Sequence, residues 1–417
     1  MDVLYERCAG IDVGKADVKV CVRTAGLRGR GRHSEVRTFT TMTRDLLALR
    51  DWLICQQVTV VGMEATGEAW KPVFYMLEDA FEVWLLNARH MRNVPGRKTD
   101  VADSTWIAQL VEHGLVRPSF VPPEPIRRLR DLTRYRSDLV HERVREVNRL
   151  HALLEDAGIK LAVVATDILG VSGRAMLEAM IRGERDPRVL ADLAHTHLRR
   201  KRDALTEALT GRFVGHHARL ARTMLDHIDA LDATCVEISG WIDAALAPFR
   251  RQLDLLTTIP GVQQRTAQVL LAEIGTDPSR FPTAGHLASW AGMCPGNNES
   301  AGKHKTGRTR HGNAYLRAAL GEAAHAAART KNTFLAERCR RLAVRRGKKR
   351  AIVATAHAIL VSVWFMLTTD SPYQELGDSY HLQHSDKTRR TRHLLTELGR
   401  LGYTVTLNPA EATAPTA

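Results

Sequence analysis

Cys8 to Val22 reads CAGIDVGKADVKVCV, and its two alternating apolar runs decide the fold of the N-terminal part. Ala9, Ile11 and Val13 alternate with polar or small residues, Gly14 and Lys15 turn the chain, and Val18, Val20 and Val22 alternate again. That is the period-two pattern of two strands joined by a tight turn. Asp12 falls near the end of the first strand.

Working outward, a third strand is expected around Val36 to Thr40, then a helix from Arg44 to Cys55 burying Leu46, Leu47, Leu49, Trp52 and Leu53. Thr59 to Met63 reads as a short buried strand that delivers Glu64, and Gly67 ends the turn after it. Ala69 to Ala80 reads as a helix, Glu82 to Ala88 as a fifth strand, Arg89 to Lys98 as a basic loop, and Asp100 to His113 as a helix with Asp103 on the same face as Asp100. Three strands in sequence followed by alternation with helices is the order of a ribonuclease-H-like α/β fold. It sets Asp12, Glu64, Asp100 and Asp103 at element ends that can converge on one sheet edge. Taken singly, Asp100 could cap a helix, Asp103 favour its dipole, Glu64 face solvent and Asp12 sit in a turn. Taken together, four carboxylates suit two hard cations, and magnesium is the natural occupant.

The chain has 417 residues and 44% hydrophobic composition, enough to fill two or three cores. Lys+Arg 60 against Asp+Glu 46 gives a net charge of +14, which favours a polyanionic partner, with nucleic acid the first expectation. Lys303 to Arg350 holds fifteen Lys/Arg against Glu322 and Glu337, so nearly all of the excess lies there. Cys8, Cys21, Cys55, Cys235, Cys294 and Cys339 are scattered without metal-type spacing, consistent with a reducing cytoplasm. The first ten residues lack the apolar core of a signal peptide. Ala351 to Thr369 is long enough for a membrane span but contains His357 and several Ser/Thr, and is read as a buried core helix.

Four prolines between Pro118 and Pro125 mark a domain boundary. Ile126 to Ala157 reads as a long helix whose apolar stripe, including Val140 and Val144, is interrupted by Arg136 and Arg143. Its eight arginines suit either a salt-bridged coiled-coil face or a backbone-binding face. Further helices run from Leu161 to Leu246, broken at Gly170, Gly173, Gly183 and Gly211, and Ala218 to Ala245 could pair with the first long helix. Leu255 to Ile274 resembles a helix-hairpin-helix unit, in which Pro260-Gly261-Val262 would turn backbone N–H groups toward a DNA phosphate, although Gln263 departs from the usual glycine. Helices are expected at His286 to Met293, Asn313 to Arg329 and Thr333 to Arg346, with a weaker pattern after Tyr373 and a disordered end at Asn408 to Ala417.

Ser300 lies between Gly296 and Gly302 in NNESAGK, a composition that predicts an exposed turn rather than a helix or strand. Lys303, Lys305, Arg308 and Arg310, with His304 and His311, follow closely and could collect phosphate oxygens by charge-assisted hydrogen bonds. Arg317 follows in the next helix. A hydroxyl nucleophile beside a phosphate-binding cluster points to a phosphodiester.

Six motifs then carry a resemblance: GIDVGKADVKV, VGMEATGEAW, GRKTDVADS, VNRLHALLEDAGIKL, IPGVQQRTAQVLLAEIG and WAGMCPGNNESAGKHKTGRTRHGNAYLR. In this order they resemble the DEDD transposases of the insertion-sequence family numbered one hundred and ten. The resemblance implies a RuvC-like domain at residues 1–117, a helical coiled-coil region at 118–250, a transposase domain with the serine loop at 251–373 and a C-terminal extension at 374–417. It implies magnesium on Asp12, Glu64, Asp100 and Asp103, and attack of Ser300 on DNA to give a phosphoserine intermediate. Lys303, Lys305, Arg308, Arg310, Arg317 and the Gly261 hairpin would contact nucleic acid. The implied partners are donor DNA, target DNA, a structured bridge RNA and further copies of the chain in a dimer or tetramer, with no membrane, in a bacterial cytoplasm at the nucleoid. The alternative is a RuvC-type structure-specific endonuclease with water as nucleophile.

Overall fold

Residues 2–26, 31–65, 67–87, 103–296, 299–300, 302–304, 307–383 and 387–407 are described by the computed structural model. The chain divides into two compact units, Met1–Val121 and Pro122–Ala417. The expected loop Arg89 to Lys98, Asp100, Lys305 and the end from Asn408 lie outside the described residues.

In the first unit, β1 (Cys8–Val13) pairs antiparallel with β2 (Asp17–Ala25), with Val13 opposite Val18. The turn between them is closed by a bond from Gly14 N to Asp17 O of 2.9 Å. The third strand, β3 (Arg32–Thr40), pairs antiparallel with β2 and is longer than expected. On its other side β1 runs parallel to β4 (Val60–Glu64), which runs parallel to β5 (Glu82–Leu86). The sheet order is β3-β2-β1-β4-β5.

Period-two alternation gives the sheet two apolar faces. Ala9, Ile11, Val13, Val61 and Met63 form one core with residues of α1 (Thr43–Cys55) and α2 (Trp70–Leu77), among them Leu46, Leu49, Leu53, Phe74 and Leu77. Leu47, expected in that core, is 36% exposed. The buried stripe of α1 runs through Leu46, Leu49, Trp52 and Leu53, and residue 47 falls outside its arc. On the opposite face Cys8, Val60, Trp84 and Leu86 pack with Ile107, Leu110 and Val111 of α3 (Asp103–Glu112). Gly10 and Gly62 belong to this second face and let α3 lie close. A Cβ at Gly10 would stand 2.2 Å from Ala108 N and 2.3 Å from Ser104 O, and one at Gly62 would stand 2.5 Å from Val111 Cγ2.

The end of α3 is held by a buried ion cluster. Glu112 is fully buried and accepts from Arg23 Nε at 2.9 Å and Arg32 Nε at 2.5 Å. A carboxylate at a helix C-terminus opposes the helix dipole, and the two guanidinia from neighbouring strands offset it. Burial, and after it the Glu112 charge, pushes the Cys8 thiol up to about 12, so this cysteine is an inert core group.

In the second unit α4 (Glu124–Asp156) lies against α6 (Gly215–Ala245), with α5 (Val171–Arg182) packed on α6. The pair is antiparallel: Arg136 donates to Ser239, Arg143 to Asp232 and His217 meets Asp156, so partners fall in number as α4 advances. Arg136, expected to interrupt the apolar stripe, is buried, whereas Val140 and Val144 are exposed. Burial pushes the Arg136 guanidinium down from its ordinary value, and nearby Arg265 adds to the shift. Gly173 does not break the chain but lies inside α5, where a Cβ would stand 2.3 Å from Ile168 O. Gly183, with φ of 111°, does terminate α5.

The longer helices from Arg250 onward are α7 (Arg250–Thr257), α8 (Gln264–Ile274), α9 (Ala284–Trp290), α10 (Ala314–Ala327), α11 (Phe334–Arg346), α12 (Lys348–Thr369) and α13 (Lys387–Arg400). The last of these occupies part of the tail where the sequence pattern weakens. Among the described residues α12 is the one helix apolar and long enough to cross a membrane. Its buried side, from Ala351 through Ile359 and Leu360 to Met366, packs on α9, α10 and α11, and Trp364 Nε1 donates to Phe281 O at 3.0 Å. Between α7 and α8, Gly261 (φ 86°) turns its Cα onto α10, where a Cβ would stand 2.4 Å from Ala323 O and Ala327 N. Packing inside the unit is thus sufficient reason for glycine there.

Candidate functional sites

Alternation that fills the two cores also aims the acids. Asp12 shares the face of Gly10, two residues before it, and Glu64 shares the face of Gly62; both glycines lie beneath α3. The β1–β4 register pairs Ile11 with Met63, so Asp12 and Glu64 are the next residues on neighbouring parallel strands. Asp103 opens α3, and its Oδ1 is buried. The helix crosses β1 at Gly10, which faces Ser104 O and Ala108 N, and this brings its first turn to the strand that carries Asp12. Asp12, Glu64 and Asp103 are each partly buried. Asp100 lies outside the described residues, and among those described no three His, Cys, Asp or Glu side chains form a metal-ligating group.

Ser300 is in the second unit, on a strand rather than in the expected turn. It lies on a two-residue strand, β6 (Glu299–Ser300), antiparallel to β7 (Lys303–His304), with Ser300 opposite Lys303. Before β7, Gly302 takes a φ of 73° that side-chain-bearing residues rarely adopt. The hairpin continues toward its base. Gly296 N donates to Arg308 O at 3.0 Å, and Pro295 bridges Thr309. At the base Gly292 and Gly312 touch backbone to backbone, since a Cβ at Gly312 would stand 2.2 Å from Ala291 O. The result is a β-arm that rises from α9 and returns into α10.

Lys303, Arg308 and Arg310 are exposed along this arm. Arg317 is half-buried and donates from Nη1 to Arg310 O at 3.3 Å and from Nη2 to Thr309 Oγ1 at 3.4 Å. Its guanidinium therefore braces the returning leg.

The residue that sequence reasoning missed is Glu273, in α8. Its carboxylate is fully buried and accepts from Arg134 Nε at 2.7 Å and Nη2 at 2.9 Å, and Arg130 Nε stands at 3.3 Å. Asn313 Nδ2 donates to it at 2.5 Å, while Asn313 Oδ1 caps α10 by accepting from Leu316 N at 3.1 Å. The Arg134 guanidinium lies 5.0 Å from the Tyr315 ring centre, and Tyr315 Oη donates to Asp138 at 3.0 Å. Burial opposes the charge on Arg134, but the hydrogen-bonded Glu273 carboxylate outweighs it and the guanidinium pKa is raised. Burial raises the Tyr315 hydroxyl, as does its bond to Asp138. Helices α4, α8 and α10 thus meet one residue beyond the base of the Ser300 arm. A signal existed: Glu273 is the sole charge in the apolar run VLLAEI.

Two family profiles match the chain. One, for DEDD transposases of IS110 elements and described as a transposase, spans residues 9–159; the other, the "Transposase IS116/IS110/IS902 family", spans residues 253–338. Asp12, Glu64 and Asp103 fall in the first span and Ser300 in the second. Among curated relatives, the "Mini-circle putative transposase for IS117" of Streptomyces coelicolor is 27% identical over 241 residues, 53% of this chain and 58% of that protein. The "Insertion element IS110 uncharacterized 43.6 kDa protein" of the same organism is 35% identical over 130 residues, 24% of this chain and 32% of that protein. The matched stretches thus span less than two thirds of either relative. With both family profiles falling in their order along the sequence, one on the sheet that bears the acids and one on the unit that bears the serine arm, the chain belongs to the IS110 family of DEDD transposases.

Proposed function

We propose that the chain is a transposase that excises and inserts its insertion sequence by magnesium-dependent DNA strand exchange, acting in the cytoplasm with Ser300 as nucleophile and a bridge RNA as guide. The observation that carries the reading is the position of Asp12 and Glu64, each one residue past the Ile11–Met63 pair of adjacent parallel strands, on the face crossed by the helix that Asp103 opens. The sheet order β3-β2-β1-β4-β5 supports a ribonuclease-H-like, RuvC-type unit. Carboxylate oxygens are the donors a hard cation takes, so Asp12, Glu64 and Asp103, with Asp100, are the residues that would hold magnesium. Bound there, the ion would supply positive charge toward the attacking and leaving oxygens of the phosphodiester.

The chain's own groups have separate tasks. Ser300 Oγ forms a bond to phosphorus as the bond from phosphorus to the 3′ oxygen breaks. The serine proton passes to a base and the 3′ oxygen takes one up, leaving a 5′-phosphoserine and a 3′ hydroxyl. Lys303, directly opposite Ser300 on the hairpin, can counter the charge that builds on the phosphate oxygens. Exposed Arg308 and Arg310 extend that field along the arm. A basic surface can hold a guide RNA by its backbone while base pairing chooses the sequence.

The test is incubation of the protein with flanking-element RNA, magnesium and labelled donor DNA, followed by denaturing electrophoresis. A labelled adduct that disappears in Ser300→Ala is expected. An adduct that survives in that variant overturns the nucleophile, and cleaved DNA without any adduct favours an endonuclease that uses water.

A further inference from the structure

Arg338 to Arg350 carries eight Lys/Arg and no acid, across the end of α11 and the start of α12. Arg340 pairs with Glu337, one turn back. Arg341, Arg345, Arg346, Lys348, Lys349 and Arg350 are exposed, and among the described residues none of them makes an ion pair. The arrangement works against α12, whereas in the last turn of α11 the helix dipole favours Arg345 and Arg346. Arg341 and Arg345 stand one turn apart on α11, where like charges repel. Lys348, Lys349 and Arg350 fill the first turn of α12, which has no acidic residue, at the end where the helix dipole disfavours cations. Val344, among these arginines, is 86% exposed. The basic surface continues to a cleft of about 390 Å³ whose rim includes Thr330, Lys331, Thr333 and Arg340.

Six cations on one elbow, with no ion pair among the described residues, are complementary to a polymer with closely spaced negative charges. Guanidinium and ammonium groups without any Asn or Gln between Arg338 and Arg350 suit phosphates, since they lack the amide pairs that read adenine. We propose that the α11–α12 elbow is a docking surface for the phosphate backbone of double-helical DNA, separate from the Ser300 arm, which holds the duplex without reading its sequence. The choice of DNA over another polyanion rests on the function proposed above.

The test measures binding of full-length protein to two 30-base-pair DNA duplexes of unrelated sequence and to a duplex RNA, by fluorescence anisotropy between low and moderate salt. All proteins carry Ser300→Ala, so binding is read without chemistry. Each phosphate contact contributes about 0.9 to the slope of log affinity against log salt. Arg341→Gln/Arg345→Gln/Lys349→Gln should therefore lower the DNA slope by about 2 to 3 and weaken both duplexes alike. Arg188→Gln/Arg200→Gln/Arg219→Gln, which removes the same charge from exposed sites elsewhere in the unit, should leave the slope near that of the parent. Equal losses in the two triple variants, or a loss confined to duplex RNA, would overturn the proposal. If the elbow variant fails to fold, phenylglyoxal modification of the parent decides: bound DNA should protect Arg341 and Arg345, and unchanged modification overturns the idea. Adduct formation plays no part in these readouts, so loss of the serine reading would not imitate either result.

Discussion

Asn313 and Glu273 meet at 2.5 Å, Nδ2 to Oε2, so the residue that caps α10 is also a ligand of the buried carboxylate of α8. The cap, the end of the Ser300 arm and the Arg134 pair are thereby joined through one side chain. A substitution that respects the cap but not the carboxylate separates the two roles.

Asn313→Asp is such a change, because Asp caps a helix as well as Asn does. It replaces the donor facing Glu273 with a second acceptor, and a loss of about 1–3 kcal/mol is expected. Glu273→Gln should cost about 3–5 kcal/mol, since it leaves Arg134 and Arg130 partly buried without their counter-charge. Urea denaturation checks both, and a stability of Asn313→Asp equal to the parent would reduce Asn313 to an ordinary cap.

Asp12→Asn and Glu64→Gln should each abolish magnesium-dependent strand cleavage while leaving DNA affinity and the thermal transition close to the parent's. Isothermal calorimetry with magnesium alone should show binding to the parent and little to either variant. Undiminished cleavage in both would remove the acids from the reaction.

Gly10→Ala forces a Cβ to within 2.2 Å of the backbone of α3 and should destabilise the first unit by about 3 kcal/mol, at the upper end for overpacking. Gly240→Ala, inside α6 near its C-terminal end where a Cβ meets open space, should stabilise by about 0.5–1 kcal/mol. Thermal or urea unfolding of the pair sets the two signs side by side.

Glu178 accepts from Arg222 and Arg174, and these bonds hold its carboxyl below the ordinary value of 4.5. A depressed folded-state pKa contributes stability that is full above the unfolded value and lost as pH falls through the folded one. Glu178→Gln should thus be less stable than the parent at neutral pH, with the difference shrinking below pH 4.5. Urea midpoints at pH 7 and pH 3 measure it; a gap that widens in acid reverses the assignment.

Much of the sheet was legible because alternation over five or more residues has few readings, and Asp12 and Glu64 fall on strand ends where that alternation places them. Ser300 was misread because a strand of two residues has no period to detect, so its glycines spoke for a turn instead. Side-chain burial on the long helices was legible only in outline. Arg136 goes inside because a second helix brings Ser239 to it, while Val140 and Val144 stay exposed, and neither fact is local in sequence. Glu112 and Glu273 were passed over for the same reason, since their cationic partners arrive from 80 to 143 residues away.

The contact between Gly292 and Gly312 makes the Ser300 arm a cassette. Its two ends already touch, so the globular part experiences it as a closed loop, whatever its length or content. Exchange of residues 293–311 for the equivalent stretch of a relative would leave α9 and α10 where they are, and reaction chemistry could be altered apart from the stability of the helices that carry it.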